Sequence, residues 1–200
     1  MSKGADMSRT ARVLVAIGAL VMLAGFITPL WRIQLIAPQY PEGLGLRIWV
    51  NQVRGARPPD LQSVNNLNHY IGMKRIEPDT IPELRFMPWV LAALVATGVG
   101  VAVIGRRKVL GGWLLAAALV AGAGLADFWK WGYQYGHELD PKAIIKVPGM
   151  SYQPPLIGSR QLLNFHATSW PDLGGWAIVL GLVIAAVVLV REHRRTVVNA

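Results

Sequence analysis

The sequence predicts an all-α integral membrane protein: four transmembrane helices and a small extracytoplasmic cap from two long loops, with short strands and helices within the cap. Three observations predict it. The apolar residues, 53% of the chain, collect in four blocks. Positive charge gathers in the short segments on one side of those blocks. The two long connections lie on the other side and are nearly neutral.

The blocks are residues 13–31, 87–105, 109–126 and 173–190, and none contains Asp, Glu, Lys, Arg or His. A helix needs roughly 17–25 residues to cross a bilayer. In lipid the backbone must satisfy its own hydrogen bonds, so uncharged runs of that length are read as spanning helices. The first block follows a basic stretch, as a cleaved signal peptide would. Its run is longer than the 7–15 residues of a typical signal, and no small-x-small site precedes "TPLWR". A retained anchor is expected.

Segments 1–12, 106–108 and 191–200 hold Lys3, Arg9, Arg12, Arg106, Arg107, Lys108, Arg191, Arg194 and Arg195 against only Asp6 and Glu192. Basic residues mark the cytoplasmic side. Both termini are therefore expected in the cytoplasm, and loops 32–86 and 127–172 outside a bacterial inner membrane. The net charge of +9 reports this topology and requires no nucleic-acid partner. Trp31, Trp89, Trp129, Trp131, Trp170 and Trp176 fall near the outer helix ends, as an interfacial aromatic belt would.

Only "GRRK" separates the second and third blocks, so these helices form a tight hairpin. Small residues four apart, Gly98 and Ala102, Ala118 and Gly122, Gly181 and Ala185, allow close helix approach. In the first loop, "GLRIWVNQV" alternates as a short strand would. "RGARPPD" reads as a turn. "DLQSVNNLNHYIG" reads as a helix with Asp60 as N-cap, an apolar stripe of Leu61, Val64, Leu67 and Ile71, and Gly72 as stop. In the second loop, Asp127, Trp131 and Tyr135 at helical spacing suggest that the third helix continues past the membrane surface. "VPGMSYQPPLIG" reads as irregular but ordered, and Ser169 or Asp172 is available to cap the last helix.

The chain has no cysteine, hence no disulfide, thiolate metal site or cysteine nucleophile. It has no HExxH helix, no Walker A loop and no GxSxG elbow. Its uncharged spans lack the ionisable residues that mark ion and proton pathways. Paired helix histidines for haem are absent. Glu138 and Asp140 beside His137 suit either a hydrolytic or metal site, or a helix end and turn. His193, among arginines, reads as surface. What remains is a set of imidazole and thioether donors in the outer loops: His69, Met73, His137, Met150 and His166. Soft sulfur with imidazole and no thiolate matches the preference of Cu(I). Solvated or core side chains account for the same residues. His69 and Met73, in "NNLNHYIGMK", stand four apart, which on a helix puts both on one face.

The stretches "APQYPEGLGLRIWVN", "NNLNHYIGMK", "HELDPKAIIKVPGMSYQPPLIGSRQLLNF" and "TSWPDLGG" resemble a family of four-helix membrane proteins encoded in nitrous oxide reductase gene clusters. There they neighbour the copper chaperone NosL and the NosDFY maturation system. The likeness covers nearly the whole chain and is strongest in the outer loops. It implies an accessory role in copper handling, assembly or electron supply for a periplasmic copper enzyme, and leaves open a membrane enzyme or redox component using the outer-loop histidines and carboxylates. The implied partners are the bilayer, the chaperone, the reductase or its maturation complex. The implied cofactor is copper, held transiently by His69, Met73, His137, Met150 and His166. A docking or scaffold role without metal is the competing expectation.

Overall fold

A computed structural model describes residues 6–147, 149, 151–162 and 165–198. Helix α1 (Arg9–Val21) starts at Ser8, whose hydroxyl accepts from the Ala11 N–H at 3.2 Å. After a break at Met22 and Leu23 the short α2 (Ala24–Ile27) continues it. Later come α4 (Glu83–Ile104), α5 (Arg107–His137) and α6 (Leu173–Val198). The run Arg9–Ile27 and these three helices are each long and apolar enough to cross a membrane. Helices α4, α5 and α6 outrun their uncharged blocks, α5 most of all. Its 31 residues, at about 1.5 Å each, make a rod of roughly 46 Å against a hydrocarbon core of about 30 Å.

Helix α1 packs on α4 and α6. At the α1–α6 crossing, a Cβ added to Gly18 would lie 2.9 Å from the Gly181 carbonyl oxygen. Gly98 of α4 meets Ala19 and Trp113, each 2.9 Å from where its Cβ would stand. Two of the three small-residue pairs thus mark real helix contacts. Ala118 and Gly122 do not: residues 118–127 of α5 are exposed, and nothing lies within 4 Å of a Cβ built on Gly122. Met22, Val15 and Leu110 are fully buried at the heart of the bundle.

The fold is mixed α/β, which corrects the all-α expectation. A five-stranded antiparallel sheet stands at one end of the bundle, in the order β3-β2-β1-β5-β4. Its strands are β1 (Trp31–Ala37), β2 (Tyr40–Ile48), β3 (Val53–Gly55), β4 (Gly158–Leu162) and β5 (Phe165–Pro171). Central β1 pairs on one side with β2 of its own loop (Ile33 with Leu46) and on the other with β5 of the second loop (Ile33 with Ser169). The two loops therefore make one sheet. β1 carries no clear local signal, because Trp31 sits at the end of an apolar block and Ile36 interrupts the alternation. β5, "FHATSWP", has almost no apolar period. Long-range pairing made these segments strands.

Helix α3 (Asp60–Ile71) lies on β2 and β3. With Ile33, Leu44, Leu46, Val53 and Ile76 its Val64 forms a second core, against which Phe128, Trp131 and Tyr135 of α5 pack. As the spacing predicts, α5 enters the cap. Trp131 is drawn into that cap rather than into a belt, and Trp31 donates its Nε1–H to Ser169 Oγ at 2.8 Å. Trp89, Trp129, Trp170 and Trp176 are exposed. Asp60 begins α3 but does not cap it: its buried carboxylate accepts from the Gly45 N–H (2.9 Å) and from the backbone N–H and Nε of Arg57. Of the two residues available to α6, Asp172 stands just before it and accepts from the Leu173 N–H at 2.8 Å, while Ser169 is buried in β5.

Candidate functional site

The C-terminal end of α3 shapes the site. Gly72 ends the helix at φ 80°, a left-handed conformation that favours glycine. The Met73 N–H then turns back to the Asn68 carbonyl (2.9 Å), as in a Schellman stop. Two buried asparagines fasten the returning chain. Asn68 donates to the Lys74 carbonyl (3.1 Å). Asn65 donates to the Ile76 carbonyl (3.0 Å) and accepts from the Ile76 N–H (2.8 Å). Residues 72–76 are thus laid beside the helix they have left.

That fold-back corrects one expectation and keeps its consequence. Met73 is not on the helix, so it does not share a face with His69 by helical spacing. The turn nevertheless places both on the wall of one open polar recess of about 670 Å³, with Tyr40, Asn65, Asn66, Tyr70 and Arg75. His69 is exposed and Met73 half-buried. Tyr135 braces the returning strand, its hydroxyl donating to the Arg75 carbonyl at 3.2 Å. Burial, and then the nearby charge of Glu77, push its ionisation above the ordinary tyrosine value, so it remains a donor.

The second loop closes on this element. The Asp140 N–H donates to the Gly72 carbonyl (2.8 Å), the Ile145 N–H donates to the Tyr70 carbonyl (2.9 Å), and Lys74 pairs with Glu138. A side chain at Gly72 would meet Ala143 and the Asp140 backbone at about 3 Å, so close approach as well as φ requires glycine there. Glu138 is occupied by that ion pair, and Asp140 accepts from the Lys142 N–H. "HELDP" is therefore a helix end and turn.

The other expected donors are dispersed. His137 ends α5, its ring stacked on Tyr133 at 4.0 Å, with Nδ1 3.0 Å from the Tyr133 carbonyl oxygen. A carbonyl only accepts, so Nδ1 is the donor in that contact. His166 lies on β5, paired with Ile36 and Gln161, two strands away from the β2 strand under α3. Met150 lies outside the described residues. Among the described residues, no three His, Asp or Glu side chains converge to hold a metal ion. The recess thus offers one imidazole and one thioether, with a second imidazole, His137, at the start of the loop that docks on α3.

Two features went unseen in the sequence. Asn65 and Asn68, three apart on the buried side of α3, are the clamps of the fold-back. Polar residues on a stripe otherwise read as apolar were the available signal. The other is an apolar pocket between sheet, α3 and α5, lined in part by Tyr152, for which no local signal existed. No protein-family model and no curated protein matches the chain.

Proposed function

We propose that the chain is an accessory protein of the bacterial cytoplasmic membrane that serves a periplasmic copper enzyme, nitrous oxide reductase, by handling Cu(I) at the α3 recess. Both termini lie in the cytoplasm and the cap in the periplasm, on the asymmetry of basic residues. The context is supported by the resemblance of the outer-loop stretches. The observation that carries the site is that His69 and Met73 wall one open recess on the cap. Imidazole and thioether are ligands for Cu(I), and two ligands hold it weakly enough to pass on. The remaining donor is then supplied by a partner, the chaperone, the reductase or its maturation complex. Titration of the purified protein with Cu(I) against a competing chelator should show binding that His69→Ala/Met73→Ala lowers at least tenfold. Equal binding by both proteins removes the proposal.

A docking role without metal is favoured by one observation: among the described residues no His, Asp or Glu besides His69 lines the recess. Under that reading the double variant binds copper no differently yet still co-purifies the reductase or its chaperone, whereas Trp49→Ala on the cap does not.

A further inference from the structure

The second hollow of the cap has a different chemistry. It lies between the sheet (Ile33, Leu46), α3 (Val64, Leu67) and the part of α5 beyond its apolar run, where Trp131 and Tyr135 are stacked at 4.0 Å. Its volume is about 90 Å³, several times what one water occupies on this measure. Its walls are almost wholly apolar, so water gains little there.

Two details separate it from ordinary loose packing. Tyr152, on its wall, is buried, and its hydroxyl is the one buried side-chain polar atom without a partner among the described residues. A buried hydroxyl without a partner costs free energy, so such groups are nearly always paired. Gly132 is also on the wall, in the interior of α5, where glycine is among the poorest helix formers. Its φ is not positive, and nothing lies within 4 Å of a Cβ built on it. Neither backbone conformation nor close packing demands glycine here; its effect is to leave the space empty.

We propose that this pocket binds the head of a lipid-soluble molecule with a planar ring and a carbonyl oxygen, of the benzoquinone type, the carbonyl accepting from the Tyr152 hydroxyl. The aromatic walls, Trp131, Tyr135, Tyr152 and Phe165, favour a flat ring over a bare acyl chain. Trp131 is five residues past Ala126, the end of the apolar run, about 7–8 Å along a helix. Ile33 is two residues into the strand that leaves the first span. The pocket therefore stands at the membrane's outer face, within reach of a ligand that partitions into lipid. From the function proposed above this takes only the membrane crossing; copper plays no part in it. The shared wall of the two hollows is Met73.

The test is thermal unfolding of the full chain in detergent with decylubiquinone, and in parallel with methyl decanoate as the acyl-ester arm. Decylubiquinone should raise the unfolding midpoint of the parent protein. Tyr152→Phe should unfold at a higher temperature than the parent without ligand, yet bind about five- to tenfold more weakly, the worth of one hydrogen bond. Gly132→Leu should fold and lose the ligand-induced rise. An equal rise in all three proteins, or no rise in the parent, overturns the site. A rise with methyl decanoate alone, lost in Gly132→Leu, overturns the ring and makes the ligand an acyl chain. None of these outcomes bears on the copper titration.

Discussion

Asp60 shows how much of the cap rests on single side chains. Its carboxylate is buried and joins β2 through Gly45 to the turn before α3 through Arg57. Removing it would leave a buried N–H unsatisfied and a guanidinium without its anion. Asp60→Ala is expected to cost about 2–4 kcal/mol, measured by thermal or denaturant unfolding of the solubilised protein, while Asp60→Asn keeps one acceptor and costs less. The same scale explains what could be read of the site. His69 and Met73 were visible as donor types in sequence. That Met73 returns to His69 around a left-handed Gly72, held by Asn65 and Asn68, was not, because side chain-to-backbone bonds across a turn have no periodicity.

At the scale of elements, exposure sorts the helices. Helices α1, α4 and α6 pack closely, whereas α5 leaves the bundle along residues 118–127 and rejoins structure only in the cap. Identical small-residue spacing therefore means different things in different helices. A side chain at Gly181 would run into the Gly18 carbonyl and Met22. Gly181→Leu should destabilise by about 1–3 kcal/mol through overpacking, read as a lowered midpoint in detergent. Gly122→Ala, in open space, should be neutral or slightly stabilising, since alanine is the better helix former. Similar effects at both positions would mean that α1 and α6 do not cross there. The strands divide likewise. Of the alternating stretch "GLRIWVNQV" only residues 45–48 lie in β2; the chain turns over residues 49–52, leaving Val50 outside the strand, and Val53 begins β3. The polar β4, "GSRQL", and β5 carry no alternation at all. Their strand character comes from the partner laid beside them.

The whole molecule is tied at both ends. Where the basic segments meet, the Met7 N–H donates to the Gly105 carbonyl, Arg12 Nε to the Ala102 carbonyl, and Ser8 to the buried Glu192 carboxylate through both its N–H (3.1 Å) and its hydroxyl (2.9 Å). Arg107 adds a bond to the Glu192 carbonyl. At the opposite end β1 continues the first span and β5 runs into α6, joined by Asp172 N–H to the Leu30 carbonyl and Gly174 N–H to the Pro29 carbonyl. The cap is thus an extension of the spans. Because the chain has no cysteine, its orientation is directly testable. Glu77→Cys, in the cap, should react with a membrane-impermeant maleimide in intact spheroplasts, and Lys108→Cys only once the membrane is opened. The opposite pattern would invert the topology.

The sequence by itself determined the four apolar helices, the end of the bundle that each connection occupies, the stop at Gly72 and the donors in the two long loops. Each is a local property, legible in runs of hydrophobicity, charge or a single glycine. Tertiary structure alone decided that the two loops share one sheet, that His69 and Met73 line one recess across a fold-back, and that Gly132 and Tyr152 border an apolar hollow. These rest on groups far apart in the chain. β1 and β5 are separated by more than a hundred residues and have no local sign of each other; their backbone hydrogen bonds are satisfied only when the spans bring them together.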